Sequence, residues 1–179
     1  LVRGTSEGYL NANLSGRTEP LNPSLPARLR VQTQSFKATS DLPETLTLLD
    51  TDIGIDGSLE NGFQVDAKGQ LPGKEGKIAL AVKGLVTTAG AQKFEVRLTG
   101  KGAGDARTGT ASVTGNLNWE EALALDAKVA LDAFAWFNLL PDVEPPPVVL
   151  KQLSGDVAYQ DGRYNAKLEA VVDGPQGAA

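Results

Sequence analysis

The acidic residues between Asp50 and Asp56 come nearer to a catalytic motif than any other part of this sequence. The run Leu48-Leu49-Asp50-Thr51 resembles an aspartic-protease signature, but Asp52 occupies the position where that signature needs a glycine. Asp50, Asp52 and Asp56 also resemble a calcium-binding loop. An EF-hand loop needs glycine at its sixth position and glutamate at its twelfth, and this sequence has isoleucine and asparagine there. We therefore interpret the three aspartates as a solvated strand end and an acidic turn.

The composition restricts nucleophilic and metal chemistry further. The chain has no histidine and no cysteine, so a Ser–His or Cys–His nucleophile is impossible and the commonest zinc ligands are missing. The stretch Gly100–Gly104 lacks the lysine and hydroxyl residue that end a phosphate-binding loop, and we interpret it as a hairpin. Glu120 and Glu121 cannot flank one glycosidic bond, because adjacent strand residues point to opposite faces. The sequence predicts a protein that is not an enzyme and has no cofactor or metal.

The charge balance argues against two kinds of anionic partner. The chain carries 17 basic and 22 acidic residues, a net charge of −5. Binding of nucleic acid needs a basic stripe that neutralises phosphates, and the sequence has none. An anionic membrane surface likewise attracts basic segments. Apolar residues make up 41% of the chain but aromatic residues only 6%, so aliphatic side chains must supply most of the buried surface.

Alternation of apolar and polar residues is the dominant pattern, and it has the period of a strand with one apolar face. From Phe63 to Leu71 the odd positions are apolar or small and the even positions are polar. Turn sequences such as Asp56-Gly57 and Asn61-Gly62 separate such runs, as antiparallel hairpins require. The residues that we expect on the apolar face are Phe63, Val65, Leu71, Ile78, Leu80, Val82, Phe94, Val96, Leu98, Val113, Leu117, Trp119, Leu123, Leu125, Val129, Leu131, Tyr164 and Leu168.

Two stretches depart from this pattern. Residues 1–27 include three prolines and are expected to be an extended segment without a full hydrogen-bond ladder. Residues 132–147 lose the alternation and are expected to be a short helix or apolar loop that leads into a proline-rich connector. Because the chain has no methionine, we expect residues 1–179 to be a single segment of a longer, repetitive β-protein.

Strands with one apolar face need a cover for that face, and three architectures supply one. Two sheets can pack as a sandwich, a barrel can face membrane lipid, or one long sheet can curl around an apolar trough. Two tryptophans and three tyrosines are too few for the aromatic girdles of a barrel, and the low aromatic content favours the trough over a sandwich. About ten strands spaced at about 4.8 Å would make the trough about 45–50 Å long. We therefore predict an all-β fold: an elongated, curved and mostly antiparallel sheet curled into an open apolar groove, with at most one or two short helices.

Several segments, taken in order, resemble one protein family. They are Leu46–Asp50 running into Ile55–Phe63, Thr114–Trp119, Phe134–Pro141, and the stretch from Leu153 to Pro175. In this respect the chain resembles the TamB family of the translocation and assembly module, which is related to the AsmA-like proteins. The resemblance covers most of the chain from about Ala27 onward.

The resemblance implies a β-taco-like sheet with an apolar interior, in a protein of the periplasm that a segment outside this sequence anchors in the inner membrane. It implies passive conduction of phospholipid acyl chains between the inner and outer membranes, together with a TamA-like outer-membrane barrel partner. It implies no catalytic residues. The eighteen apolar residues would then line a lipid groove.

Two other functions remain open at this point. The sheet could act as a scaffold or chaperone that holds outer-membrane protein strands by edge pairing, or the chain could be a β-sandwich binding module with a closed core. The aromatic cluster of Phe134, Trp136 and Phe137 could be a plug, a packing contact or a lipid gate, and we favour packing.

Overall fold

The computed structural model describes residues 3–16, 24–39, 46–87, 90–118, 123–140, 142–160 and 162–174. These residues form ten β-strands and one short 3₁₀ helix, Trp136–Leu139. The strands are β1 (Arg3–Gly16), β2 (Ala27–Thr39), β3 (Leu46–Ser58), β4 (Gly62–Gly73), β5 (Gly76–Val86), β6 (Gln92–Lys101), β7 (Thr108–Asn118), β8 (Ala124–Asp132), β9 (Val149–Gln160) and β10 (Arg163–Asp173).

All ten strands belong to one sheet in which each strand pairs with its neighbours in the sequence. Every pairing is antiparallel, and the sheet does not close, so β1 and β10 are its two edges. The sequence pattern explains this order, because short turns can only return the chain beside the strand it has just left. The prediction of an all-β fold built on an open, curved and mostly antiparallel sheet is confirmed.

The first strand lies in the stretch that the sequence marked only as extended. β1 pairs with β2 along nearly its whole length, from Arg3 opposite Thr39 to Gly16 opposite Ala27.

The second departure from alternation, residues 132–147, contains the 3₁₀ helix and joins β8 to β9. The register also shifts between Leu49 and Asp52 in the pairing of β3 with β4, where Asp50 has a left-handed backbone with φ of 48°.

The strand ends form two long margins of the sheet. One margin, which we call the covered rim, contains the β4–β5 turn (74–75), the β6–β7 turn (102–107) and the β8–β9 connection (133–148). The opposite margin, the bare rim, contains the β3–β4 turn (59–61), the β5–β6 turn (87–91) and the β7–β8 and β9–β10 turns. The bare rim also receives the β1–β2 link (17–26), and residues 17–23, 88–89, 119–122 and 161 of its links lie outside the described residues. The covered rim carries the long β8–β9 connection, which is described except at residue 141.

Full burial is rare in this molecule because a single sheet has no second layer to enclose it. Among the described residues, the large side chains that are fully buried are Phe134 and Ile78, at 1% and 0% exposure. Both lie at the covered rim, where the β8–β9 connection returns over the sheet. In β4, for example, half-buried apolar side chains alternate with exposed polar side chains.

Candidate functional site

The apolar residues chosen from the sequence share one face of the sheet wherever they lie in described strands. Residues directly opposite each other in neighbouring strands point to the same face, and the registers link the chosen residues in continuous rows. One row runs Val82–Val96–Val113–Val129 through β5, β6, β7 and β8. The next runs Leu80–Leu98–Ala111–Leu131–Leu153 and reaches β9.

The remaining chosen residues fall into the flanking rows or outside them. Leu71 pairs with Ile78 next to the covered rim. Near the bare rim, Phe63 pairs with Val86, and a row formed by Leu117, Leu125, Tyr159 and Tyr164 crosses β7 to β10. Val65 and Phe94 each pair with Gly84, and Leu168 pairs with Gly155. Leu123 precedes β8 and is 53% exposed, and Trp119 lies outside the described residues.

No second sheet covers this apolar face within the part of the chain that the structure describes. Its central side chains, such as Leu80, Val96 and Val113, are nevertheless half-buried by their neighbours within the sheet. The structure therefore presents a continuous aliphatic surface several strands wide that other parts of the described chain leave largely open.

The opposite face carries charges in alternating order. Asp66 lies opposite Lys83, which lies opposite Glu95, and on later strands Lys128, Asp156 and Lys167 continue the alternation. Opposite charges directly across a strand pair stabilise the register, and like charges there destabilise it. The polar face thus favours the same strand alignment that gathers the apolar residues on the other side.

A shallow depression of about 700 Å³ lies on this polar face, over β4 to β8. Its walls include Lys83, Lys93 and Lys128 together with Asp66 and Asp126. Placing an apolar chain there would desolvate charged groups without giving them new partners. The apolar face is therefore the better candidate for a binding surface.

At the covered rim, an aromatic side chain packs over residues of β5 and β6. The ring of Phe134 lies over Gly100 and Ile78 on the apolar face: a methyl group built on Gly100 would lie 3.2 Å from the Phe134 ring and 3.2 Å from the Ile78 side chain. Gly109, the direct partner of Gly100, has no room for a side chain, because one would overlap the carbonyl oxygen of Ala133. The β8–β9 connection packs closely against these two glycines because neither has a side chain.

Backbone hydrogen bonds attach the start of the β8–β9 connection to β9, to β6 and to the β6–β7 turn. The N–H of Ala133 donates to Lys151 O at 2.6 Å, and the N–H of Ala103 donates to Ala133 O at 2.7 Å. The N–H of Ala135 donates to Lys101 O at 3.1 Å. Ala133 has a left-handed backbone with φ of 43°, a conformation that costs a residue other than glycine about 1–2 kcal/mol. The surrounding contacts hold it in that conformation.

Asn138 extends this attachment to the β4–β5 turn. Its carbonyl oxygen accepts the N–H of Lys74 at 3.0 Å, and its side-chain Oδ1 accepts the N–H of Glu75 at 2.5 Å. Asn138 is buried, at 2% exposure, so these bonds have little competition from water. The connection therefore reaches along the covered rim from β9 back to β4.

The bare rim is held by hydrogen bonds between residues that are close in sequence. Gln92 is buried and its side chain spans the β5–β6 turn: Oε1 accepts the N–H of Thr87 at 2.6 Å, and Nε2 donates to Thr87 O and Gly90 O. In the β3–β4 turn the N–H of Asn61 donates to Ser58 Oγ at 3.1 Å. Each of these bonds lies within a single turn.

Two tyrosines lie side by side where the apolar face meets the bare rim. Tyr159 and Tyr164 are direct partners across β9 and β10, and their ring centroids are 4.9 Å apart. Tyr164 is 82% exposed. Tyrosine has an apolar ring and a polar hydroxyl, and it is enriched where an apolar region meets water.

The three aspartates that came nearest to a catalytic motif each lie beside a positively charged side chain. Arg30 makes two hydrogen bonds to Asp52, Arg28 makes two to Asp56, and Lys77 Nζ lies 3.5 Å from Asp50. The hydrogen bonds from Arg30 lower the pKa of Asp52, and Asp52 raises the pKa of Arg30. Over the described residues, no three acidic side chains converge as metal ligands would.

Sequence reasoning missed the residues that organise the rims. Asn138 and Gln92 are single polar residues in otherwise ordinary contexts, and nothing in the sequence indicates that the amide of Asn138 bonds to a turn 63 positions away. Gly100 was assigned to a hairpin, whereas it is a strand residue in β6. The loss of alternation after Asp132 was the one available signal for the connection.

Taken together, these features define a class of protein: a single open sheet with one apolar face. A family model described as TamB, N-terminal domain, matches residues 2–172, and the chain belongs to that family. The family is a transport or assembly module that works with an outer-membrane partner and spans the periplasm. The same comparisons found no match among curated proteins or solved structures.

One further observation concerns membranes. Across the described ranges, no helix has both the length and the apolar character needed to cross a bilayer.

Proposed function

We propose that the apolar face of this sheet binds phospholipid acyl chains and forms part of a passive path for lipid between the inner and outer membranes. The observation that carries the proposal is the continuous aliphatic face without an overlying protein layer in the described part of the chain. Burial of an acyl chain gains about 0.8 kcal/mol per methylene, so such a face favours lipid strongly over water. The eighteen apolar residues named from the sequence are the proposed lining.

The family supports the rest of the proposal. Membership of a periplasm-spanning family that works with an outer-membrane partner favours a place in the periplasm, a TamA-like barrel partner, and an anchor in the inner membrane contributed by another part of the protein. Passive conduction needs no cofactor and no catalytic group, since lipid would move along a surface of uniform chemistry.

A second candidate is a scaffold for outer-membrane protein strands. The observation in its favour is β10, an edge strand of 11 residues whose side chains are all exposed, including Leu168 and Val172. An exposed edge of this length can pair with an incoming strand. The sandwich alternative has no comparable support, because the described strands form one sheet rather than two facing sheets.

The experiment that tests the lipid proposal uses two neighbouring residues on opposite faces. Leu80 lies on the apolar face opposite Leu98, whereas Ala81 lies on the polar face between Lys68 and Arg97. Leu80→Asp places an unpaired charge in the proposed lipid path, and Ala81→Asp places the same charge among basic residues. Binding of a fluorescent phospholipid by each purified, folded variant is then measured.

We expect Leu80→Asp to lose most lipid binding and Ala81→Asp to retain it. Circular dichroism checks that both variants keep the β-sheet signal. Equal binding by the two folded variants would contradict the proposal at this face. Crosslinking from β10 to client proteins rather than to lipid would favour the scaffold instead.

A further inference from the structure

The two edge strands of the sheet differ in regularity. On β1 the pairing with β2 is interrupted, because the register shifts between Glu7 and Leu10. A bulge of this kind bends an edge strand and hinders the pairing of a further strand. β10 has no inserted residue: its register with β9 shifts beside Val171, and the extra residue there, Lys151, belongs to β9. β10 is therefore the edge better suited to receive another strand.

β10 is also accessible within the described part of the chain. All 11 of its residues are exposed, including Tyr164 at 82% and Val172 at 59%. The strand contains neither proline nor glycine, so its outward N–H and C=O groups can form a hydrogen-bond ladder. Charged side chains commonly protect an edge strand from unwanted pairing. The charges of β10 therefore decide which strand it can accept.

The order of those charges is self-complementary. Counted outward from Leu168, Lys167 on one side corresponds to Glu169 on the other, and Arg163 at one end corresponds to Asp173 at the other. If two copies of β10 pair antiparallel with Leu168 opposite Leu168, each of these bases lies opposite an acid of the second copy. Opposite charges directly across a strand pair stabilise the pairing.

Other registers of two β10 strands are less favourable. In the register centred on Leu168, Tyr164 would lie opposite Val172, and all apolar positions would share one face. The nearest registers that keep the faces pair Lys167 with Lys167 or Glu169 with Glu169, and like charges there destabilise the pairing. A shift of the partner by one residue would move its apolar residues to the polar face.

The pairing of β10 with β9 is compatible with this use of the central charges. Glu169 lies opposite Ser154, an uncharged residue. At the end of the strand, Asp173 already contacts Lys151 Nζ at 2.6 Å. The central pairs of Lys167 with Glu169 therefore contribute more to the choice of partner than the end pairs do.

We propose that β10 is a dimerisation surface and that its partner is β10 of a second copy of this chain. The two sheets join through an antiparallel strand pair with twofold symmetry. Leu168 lies opposite Gly155, which lies opposite Val129, and directly opposite residues share a face. The apolar face of one copy therefore continues across Leu168 into that of the other. This inference does not depend on which ligand the apolar face binds.

The test reverses one charge at a time. In a pair of Glu169→Lys chains each Lys167 faces a lysine, and in a pair of Lys167→Glu chains each Glu169 faces a glutamate. When the two variants are mixed, one strand carries two bases and the other two acids, so opposite charges face each other again. Glu60→Lys is the control, because it makes the same reversal in the exposed β3–β4 turn. Sedimentation equilibrium measures the dissociation constant of each dimer.

We expect the wild-type chain and Glu60→Lys to form dimers, and each β10 variant alone to raise the dissociation constant at least about tenfold. The mixture of the two variants should dimerise about as tightly as the wild type. Circular dichroism checks folding, since Lys167→Glu places an acid opposite Asp156. If that variant does not fold, Arg163→Glu replaces it, and the glutamate facing Asp173 of the second copy should also weaken the dimer.

A wild-type chain that stays monomeric at all concentrations would overturn the proposal and leave β10 to a strand of different sequence. Equal dissociation constants for the wild type and the folded β10 variants would show that the dimer forms through another surface, which would also overturn it. A mixture that dimerises no better than either variant alone would contradict the register centred on Leu168.

Discussion

The covered rim and the bare rim are made by the same ten strands, yet they are held together in different ways. At the bare rim, Gln92 and Ser58 bond within their own turns. At the covered rim, Asn138 and Phe134 join segments that are far apart in the sequence. Among the described residues, one margin is thus held by contacts within single turns and the other by a long connection. The covered rim depends on a connection of 16 residues (133–148) rather than on a second sheet.

The largest expected effect is the loss of the Phe134 ring. Phe134→Ala removes the most buried aromatic side chain of the described residues, and such truncations lower the free energy of unfolding by about 3–5 kcal/mol. Tyr164→Ala at the bare rim is the matched change, and it should cost far less because Tyr164 is 82% exposed. Urea denaturation of the two variants measures the difference. Equal losses of stability would show that the rims do not differ as described.

A smaller effect is expected from adding a methyl group where the β8–β9 connection packs against β7. Gly109→Ala places a methyl group against the carbonyl oxygen of Ala133, and overpacking of this kind costs about 1–3 kcal/mol. Gly54→Ala in β3 is the control, because its nearest neighbour is Asp66 O at 3.8 Å, an ordinary contact distance. Thermal denaturation should show a lower midpoint for the Gly109 variant alone. A midpoint equal to that of the control would mean that the connection does not rest on this strand pair.

The amide side chains of the two rims provide the sharpest comparison. Asn138→Ala removes the acceptor of the part-buried bond from the Glu75 N–H, a net loss of about 0.5–1.5 kcal/mol. It should raise hydrogen exchange both at the β4–β5 turn and along residues 133–140. Gln92→Ala should raise exchange only near Thr87 and Gly90, because its bonds are local. Hydrogen-exchange mass spectrometry distinguishes the two patterns. If hydrogen exchange increased at only one turn in both variants, the covered rim would be held by local bonds just as the bare rim is.

The smallest effect is expected at the exposed ion pair of Arg30 and Asp52. Asp52 has a lowered pKa in the folded chain, caused first by the hydrogen bonds from Arg30. The pair therefore stabilises the fold above the unfolded pKa of aspartate, about 3.9, and that contribution is lost as the pH falls through the lowered pKa. Asp52→Asn should lower the denaturation midpoint slightly at pH 7 and make no difference in strong acid. A larger gap in acid than at neutral pH would contradict this assignment.

Much of the fold can be predicted from the sequence, because strand alternation and turn residues act locally. The run from Phe63 to Leu71 indicates both its strand and its apolar face, and each short turn indicates its antiparallel partner. The register shift beside Asp50 could not be predicted, since a non-glycine residue with positive φ gives no composition signal.

The packing of the β8–β9 connection could not be predicted for a different reason. The sequence identified Phe134, Trp136 and Phe137 as a cluster and favoured packing for it, and Phe134 is indeed buried. Where the cluster packs depends on contacts between β6, β7 and the connection, which are long-range. Gly100 and Gly109 are paired strand residues, and their lack of side chains matters only because the β8–β9 connection packs against them.

The central claim is that the open aliphatic face holds acyl chains, and the most direct measurement is mass spectrometry of the lipids that co-purify with this chain from cells. The account predicts phospholipid bound to the wild-type chain and to Ala81→Asp, and little or none bound to folded Leu80→Asp. Phospholipid in equal amount on all three proteins, or on none of them, would contradict it.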